Sequence, residues 1–252
     1  MENVDQKNIL FTGGSGLLGG KLKELFPGSL FPTHQEFDVT NYSQCWDYIV
    51  GNFIQNGGEK ILVHAAAMKS PPKIDKNPIL ALQTNIIGTS NLVLLCAAYK
   101  IKFIYISSDY VFSGKNNHGG YKEDDDVGSV NKYGWSKLGG ECAVRMYDNS
   151  LIVRMSFFPD VFPYQKGFID QYVSRIPVTR ASQILEKIIY SDLKGVIHLG
   201  GIQKSTYQFA LSTSGGKEIE EILICEVDSV VPQNVTMNIS KLEEFLQTPV
   251  LE

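Results

Sequence analysis

The chain of 252 residues predicts an α/β fold: a doubly wound parallel sheet with a small C-terminal lobe. Three observations lead there. Short apolar runs alternate with segments of helical period. The runs are continuously apolar, as strands covered on both faces must be. A glycine cluster closes the first run and opens the first helical segment. Right-handed crossovers then set helices on both faces of the sheet, and a ligand belongs at the carboxyl ends of the strands.

Residues 8–12 form the first strand, after which Leu17, Leu18, Leu22 and Leu25 recur at helical spacing until Pro27-Gly28. Residues 29–31 supply a brief second strand. Residues 42–55 predict a helix with Asn41 as its cap and Gly57-Gly58 beyond its end. Residues 60–63 are the next strand and run into His64-Ala65-Ala66-Ala67, while Pro71-Pro72 predicts a turn or extended loop. Residues 77–99 read as a long helix, apolar all round, that packs against the sheet. A strand at 103–107, a polar loop over 113–130, a helix over 132–147 and a strand at 151–154 follow. Beyond Arg154 the pattern weakens to an aromatic and proline-rich loop at 157–164, a helix at 182–190 and a strand at 196–199. Two units are expected: 1–155, and a lobe of 156–252 whose strand 195–200 returns to the main sheet.

A net charge of -4 without any run of Lys or Arg argues against a nucleic-acid or anionic-membrane surface. Cys45, Cys96, Cys142 and Cys225 lack metal or redox spacing and read as buried free thiols, so no metal is expected. The N-terminus has no signal-peptide pattern, and no apolar stretch reaches the ~20 residues that span a bilayer, which predicts a cytoplasmic protein.

Gly13-Gly14-Ser15-Gly16-Leu17-Leu18-Gly19 satisfies both G-x-x-G-x-x-G and G-x-G-x-x-G. Glycine is required where the chain turns sharply, where its backbone approaches a pyrophosphate, and where the new helix lies close to the strand. The free N–H groups of that helix face the anion. The pattern therefore predicts a dinucleotide cofactor, NADP or NAD. A carboxylate for the ribose hydroxyls belongs ~20 residues further on. That region holds Thr33, His34, Gln35, Glu36 and Asp38, with no carboxylate directly after the second strand and no arginine for a 2′-phosphate. The choice between NADP and NAD stays open.

Tyr133 and Lys137 lie four apart near the start of a helix, on one face. A neighbouring ammonium favours the phenolate and brings a phenol toward the working range. Ser108, at the end of a strand, supplies a hydroxyl to hold a substrate oxygen. In a reduction Tyr133 would donate the proton, Ser108 would orient the carbonyl, and Lys137 would tune Tyr133 and bind the nicotinamide ribose.

These residues resemble the extended short-chain dehydrogenase/reductase family, and within it the dTDP-4-dehydrorhamnose reductases. The likeness rests on Phe11-Thr12 with the glycine turn, on His64-Ala65-Ala66-Ala67, on Asn85 with Gly88 and Thr89, and on Ile106-Ser107-Ser108-Asp109-Tyr110-Val111-Phe112. Tyr121, Glu123, Asp125, Tyr133-Gly134-Trp135-Ser136-Lys137, Gly140-Glu141, Arg154-Met155-Ser156-Phe157 and Asn238-Ile239-Ser240-Lys241-Leu242 complete it. The resemblance implies a Rossmann-like fold and an NAD(P)H-dependent reductase of a nucleotide-linked 4-keto-6-deoxy sugar in deoxysugar biosynthesis, as a homodimer. It implies a cofactor site of Gly13, Ser15, Gly16, Leu17, Leu18, Gly19, Asp38, Val39, His64, Ala65, Ala66, Ala67, Asn85, Tyr133 and Lys137, with Asp38 at the adenine. Met68, Lys69, Ser108, Tyr110 and Phe157 would meet the substrate. Ser129 stands where the family has proline, Phe157 where it has tryptophan, and the segment 163–177 is short. A nucleotide-sugar epimerase or dehydratase of the same superfamily is the neighbouring alternative. A non-catalytic NADP-binding regulatory subunit, like that of methionine adenosyltransferase, is another.

Overall fold

The computed structural model describes residues 5–250 apart from Asn56 and Asn117. The ends of the two expected units, and position 117 of the expected loop, lie outside the described residues. Strand β1 (Ile9–Thr12) leads through the glycine turn into helix α1 (Leu17–Leu25). The expected second strand shrinks to one parallel bridge between Leu30 and Leu10, because Pro32 follows at once and supplies no N–H to extend a ladder.

Helix α2 (Tyr42–Tyr48), capped by the Asn41 side chain, continues as a π-helical turn, Ile49–Phe53. Strand β2 (Ile61–His64) follows. Pro71-Pro72 opens helix α3 (Pro71–Lys76) rather than a loop, since a proline in the first helical turn lacks only an N–H that would have no partner there. Helix α4 (Pro78–Ala81), a π-helical segment Leu82–Ile87 and helix α5 (Gly88–Tyr99) then run as one piece.

That piece of 22 residues is long and apolar enough, by length and composition, to cross a membrane. This corrects the expectation that no stretch reaches that length: polar Gln83, Thr84 and Asn85 interrupt the apolar run in the sequence, but the helix continues through them. Leu92, Leu95 and Cys96 are buried against the sheet, as expected. On the opposite side Leu80, Ile87 and Leu94, seven residues apart, are exposed, with no cover among the described residues.

Strand β3 (Lys102–Ser108), helix α6 (Lys132–Val144) and strand β4 (Ser150–Met155) complete the central units. Then come short strands β5 (Phe157–Phe158), β6 (Lys166–Phe168), β7 (Tyr172–Val173) and β8 (Ile176–Pro177). Helix α7 (Val178–Ile189) begins four residues earlier than its sequence pattern predicts, and strand β9 (Gly195–Leu199) follows. Strand β10 (Lys204–Ser205), helix α8 (Thr206–Ser212), strand β11 (Glu220–Ile222) and helix α9 (Ser240–Leu246) close the chain.

The main sheet is parallel, in the order β1-β2-β3-β4-β9. Leu30 lies on one side of β1 and β2 on the other, so the winding reverses there, and a crevice opens above their carboxyl ends. Alternate strand residues serve opposite faces. Phe11, Val63, Ile104 and Val153 meet α1, α7 and α9 through Leu22, Ile184, Ile188 and Leu242. Leu10, Leu62, Phe103 and Ile152 meet α2 and α5 through Cys45, Leu92 and Cys96. Burying each such side chain stabilises by roughly 1.5–3 kcal/mol. Cys45 and Cys96 are buried thiols, but Cys142 and Cys225 are exposed, which corrects the uniform expectation: Cys142 falls on the outer side of α6, away from the sheet.

Candidate active site

A cavity of about 480 Å³ opens at the winding reversal. Its floor is the glycine turn. Gly13 has φ +77, and a Cβ there would sit 2.7 Å from the Ala65 carbonyl carbon and the Ala66 nitrogen, so the turn and the loop after β2 touch backbone to backbone. A Cβ on Gly19 would sit 2.2 Å from the Gly13 oxygen; its absence lets α1 lie against the turn. Gly16 is the N-cap of α1 and brings no side-chain cap. The first amides of the helix thus face the cavity, and a pyrophosphate fits this cradle where a side chain would fill it.

Gly13, Ser15, Gly16, Leu17, Leu18, Gly19, Asp38, Val39, Ala65, Ala66, Ala67, Tyr133 and Lys137 all line this one cavity, as do Met68, Lys69 and Phe157. Four expected site residues do not coat its wall. His64 is fully buried below it, hydrogen-bonded through Nδ1 to Thr12 Oγ1 at 2.7 Å and through Nε2 to Thr89 Oγ1 at 3.1 Å. Burial, with the Lys137 charge adding, pushes its pKa down to about 3. Thr12 Oγ1 in turn accepts the Ala66 N–H at 3.1 Å, so His64 steadies the alanine run from behind. Asn85 does the same for the next residues: its Oδ1 accepts Met68 N–H at 2.8 Å, and its Nδ2 donates to Met68 O at 2.9 Å and to Ser136 Oγ at 2.8 Å. Ser108 and Tyr110 stand behind Tyr133, whose ring meets that of Tyr110 edge-on at 5.9 Å. Gly14 also lines the cavity, and its lack of a side chain leaves room for Lys23 and Phe31.

Helix α6 carries the central pair. Asn131 caps it, with Oδ1 accepting Gly134 N–H at 2.9 Å. Ser129, in the place of the family's proline, receives Asn131 N–H at 3.2 Å and fixes the entry to the helix. A Cβ on Gly134 would meet Tyr110 O and Ser129 Oγ, both at 2.1 Å. Only glycine allows the helix to begin so close to the end of β3.

Burial raises the pKa of the Tyr133 phenol, and a hydrogen bond with Ser108 works in the opposite direction. Lys137 is not what restrains it. Its buried ammonium lies over the Tyr105 ring, 4.1 Å from the centroid, and burial brings it down to about 7 against the pull of Glu141. The expected lowering of Tyr133 is thus corrected: removal of the phenolate from water raises it, and Ser108 only opposes that rise.

Sequence reasoning did not assemble what surrounds Ser108. Its hydroxyl donates to Asp109 Oδ1 at 2.9 Å, and Ser156 Oγ donates to Asp109 Oδ2 at 2.6 Å. Arg175 lies near enough for its charge to favour the Asp109 carboxylate. A carboxylate immediately after the strand-end serine was the available signal. Below the site, Arg154 and Glu141 form a fully buried bidentate pair, with Nε to Oε1 at 3.0 Å and a second nitrogen to Oε2 at 2.9 Å.

A winding reversal over a glycine cradle, with serine, tyrosine and lysine at the far end, defines a dinucleotide-dependent oxidoreductase of the short-chain dehydrogenase/reductase type. Residues 7–176 match the family described as RmlD substrate binding domain, and the chain belongs to that family. It is 27% identical to the methionine adenosyltransferase 2 subunit beta of Mus musculus, over 96% of this chain and 83% of that one. A dTDP-4-dehydrorhamnose reductase of Mycolicibacterium smegmatis is 33% identical over 56% of this chain and 42% of its own. Among solved structures, the dTDP-4-dehydrorhamnose reductase of Bacillus anthracis in complex with NADP superposes with a TM-score of 0.83 at 25% identity, covering 96% of this chain and 93% of that one.

Proposed function

We propose that the chain is an NAD(P)H-dependent reductase of a nucleotide-linked 4-keto-6-deoxy sugar in deoxysugar biosynthesis. Residues 1–155 would hold the dinucleotide and 156–252 the sugar. The carrying observation is that Tyr133 and Lys137 share one cavity with the glycine turn, with Ser108 close enough to the Tyr133 phenol to oppose the effect of its burial. The substrate class rests on the reductases to which the chain is similar.

When bound, the nicotinamide supplies the hydride. Burial keeps the Tyr133 phenol protonated at neutral pH, the form a proton donor needs. Tyr133 Oη gives its proton to the substrate oxygen as negative charge develops there. Ser108 turns its hydroxyl proton from Asp109 to that oxygen and holds it in place. Lys137 binds the ribose hydroxyls. Met68, Lys69, Tyr110 and Phe157 border the sugar, and Asp38 meets the adenine. The proposal includes a cytoplasmic homodimer, for which the exposed Leu80, Ile87 and Leu94 offer an apolar stripe.

The test mixes the purified chain with NADPH or NADH and dTDP-linked 4-keto-6-deoxy sugars and follows cofactor absorbance. Stoichiometric cofactor loss with formation of the reduced sugar is expected. An unchanged absorbance with every sugar in the panel overturns the reductase. The end-to-end similarity to a methionine adenosyltransferase subunit favours a second reading, a regulatory subunit that binds the dinucleotide without turning it over. Tight dinucleotide binding without turnover, together with association with a methionine adenosyltransferase catalytic subunit, is what that reading expects.

A further inference from the structure

The adenosine end of the cavity decides which dinucleotide fits. In folds of this winding, the ribose 2′ position lies beside the residue that ends the second strand, where a carboxylate selects the free hydroxyl and a cation accommodates a phosphate. Here the residue after the Leu30 bridge is Phe31, which stacks on Phe11 at 4.5 Å. The two acids that follow are engaged in their own turns. Glu36 Oε2 accepts Thr33 N–H and Thr33 Oγ1–H, both at 2.8 Å. Asp38 Oδ1 accepts Thr40 N–H at 2.9 Å and Thr40 Oγ1–H at 2.8 Å, while Oδ2 lies 3.8 Å from His34 Nε2.

Lys23 reaches this same corner from α1, since helical side chains lean toward the N-terminus. A Cβ on Gly14 would meet Lys23 Cε at 2.9 Å, Phe31 Cδ1 at 3.1 Å and Lys23 Nζ at 3.4 Å. The ammonium therefore sits over the outer edge of the glycine turn, 5.7 Å from the centre of the Phe31 ring. Its neighbour Lys21 pairs with Glu24 and Asp160; among the described residues no carboxylate pairs with Lys23. The corner thus combines a cation that no carboxylate among the described residues neutralises with an apolar floor, while one oxygen of each nearby acid is held by its own turn.

We propose that Lys23 recognises a phosphate on the 2′ oxygen of the adenosine ribose and makes the chain prefer the 2′-phosphorylated dinucleotide. This rests on the cavity being the dinucleotide site. The test is calorimetric titration of the full-length chain with NADP, NAD, adenosine 2′,5′-bisphosphate and 5′-AMP, repeated on Lys23→Ala and Lys23→Arg. The unaltered chain should bind the bisphosphate about tenfold or more tightly than AMP, as one charge-assisted contact allows, and added salt should erode the difference. Lys23→Ala should bring the ratio close to one while AMP affinity holds, and Lys23→Arg should keep most of the preference. Equal binding of bisphosphate and AMP overturns the assignment, as does a preference that survives Lys23→Ala or a loss of AMP binding along with it. Failure to bind either dinucleotide overturns the cavity reading itself.

Discussion

The Ser108 hydroxyl donates its proton to Asp109 Oδ1 at 2.9 Å, so the residue beside the proposed substrate oxygen is oriented by a buried carboxylate. Burial raises the Asp109 pKa, while the hydrogen bond from Ser156 and the Arg175 charge restrain it. Asp109 is thereby a positioning residue whose ionisation reaches the reaction through Ser108. Asp109→Asn should lower kcat by about tenfold with KM little changed. Because the carboxyl is gone, the acid limb of the pH profile should flatten. An unaltered acid limb in the variant would show that Asp109 serves packing alone.

Tyr133→Phe removes the proposed proton donor and leaves its ring in place. The expected outcome is a fall in kcat of about a hundredfold or more, with dinucleotide affinity held, as read by steady-state kinetics beside a binding titration. Full activity in this variant would sink the assigned role.

Glu141 and Arg154 are both wholly buried, and Ser107 Oγ donates to Glu141 Oε1 at 2.6 Å. Arg154 also faces the Phe112 ring at 5.0 Å and donates to Glu123 O at 3.2 Å. Glu141→Gln leaves the guanidinium without its counter-charge and should cost about 3 kcal/mol in urea unfolding. Pairing Glu141→Leu with Arg154→Met removes both charges and should recover much of that loss.

Acid should unfold the protein through two histidines. His64 falls from 6.5 to about 3 and His198 from 6.5 to about 4, burial being the main cause in each. His198 Nδ1 meets Asn238 O at 3.1 Å, and its Nε2 has no hydrogen-bond partner among the described residues. Both folded values lie below the unfolded one, so the unfolded chain binds more protons as pH falls below 6.5. Stability is complete above that pH and drops by on the order of 1.4 kcal/mol per unit for each histidine. The His198 share levels off near 4 and the His64 share near 3. Urea midpoints measured between pH 7.5 and 4.5 check this, and His198→Gln should make the slope shallower.

Much of the site was legible because its signals are local. A glycine turn after an apolar run, and a tyrosine four residues from a lysine in a helix, carry their geometry in their spacing. The readings that needed correction depend on the surroundings. Pro71-Pro72 predicts a break, yet proline also starts helices, as it does here. The resemblance implies that His64 and Asn85 belong to the cofactor site; the structure turns both inward, where they hold the loop that lines the cavity. The spacing predicts an effect of Lys137 on Tyr133, while burial, invisible in the spacing, is the larger cause.

By itself, the sequence determined the alternation of strands and helices, the cradle for a pyrophosphate, and the serine, tyrosine and lysine, because each is specified over a few consecutive residues. Tertiary structure alone decided that Ser156, 47 residues from Asp109, steadies its carboxylate, that Glu141 neutralises Arg154, and that Lys23 comes to rest beside Phe31. Those contacts form only once strand order and helix packing bring distant segments together, and burial then sets the charge each group can carry.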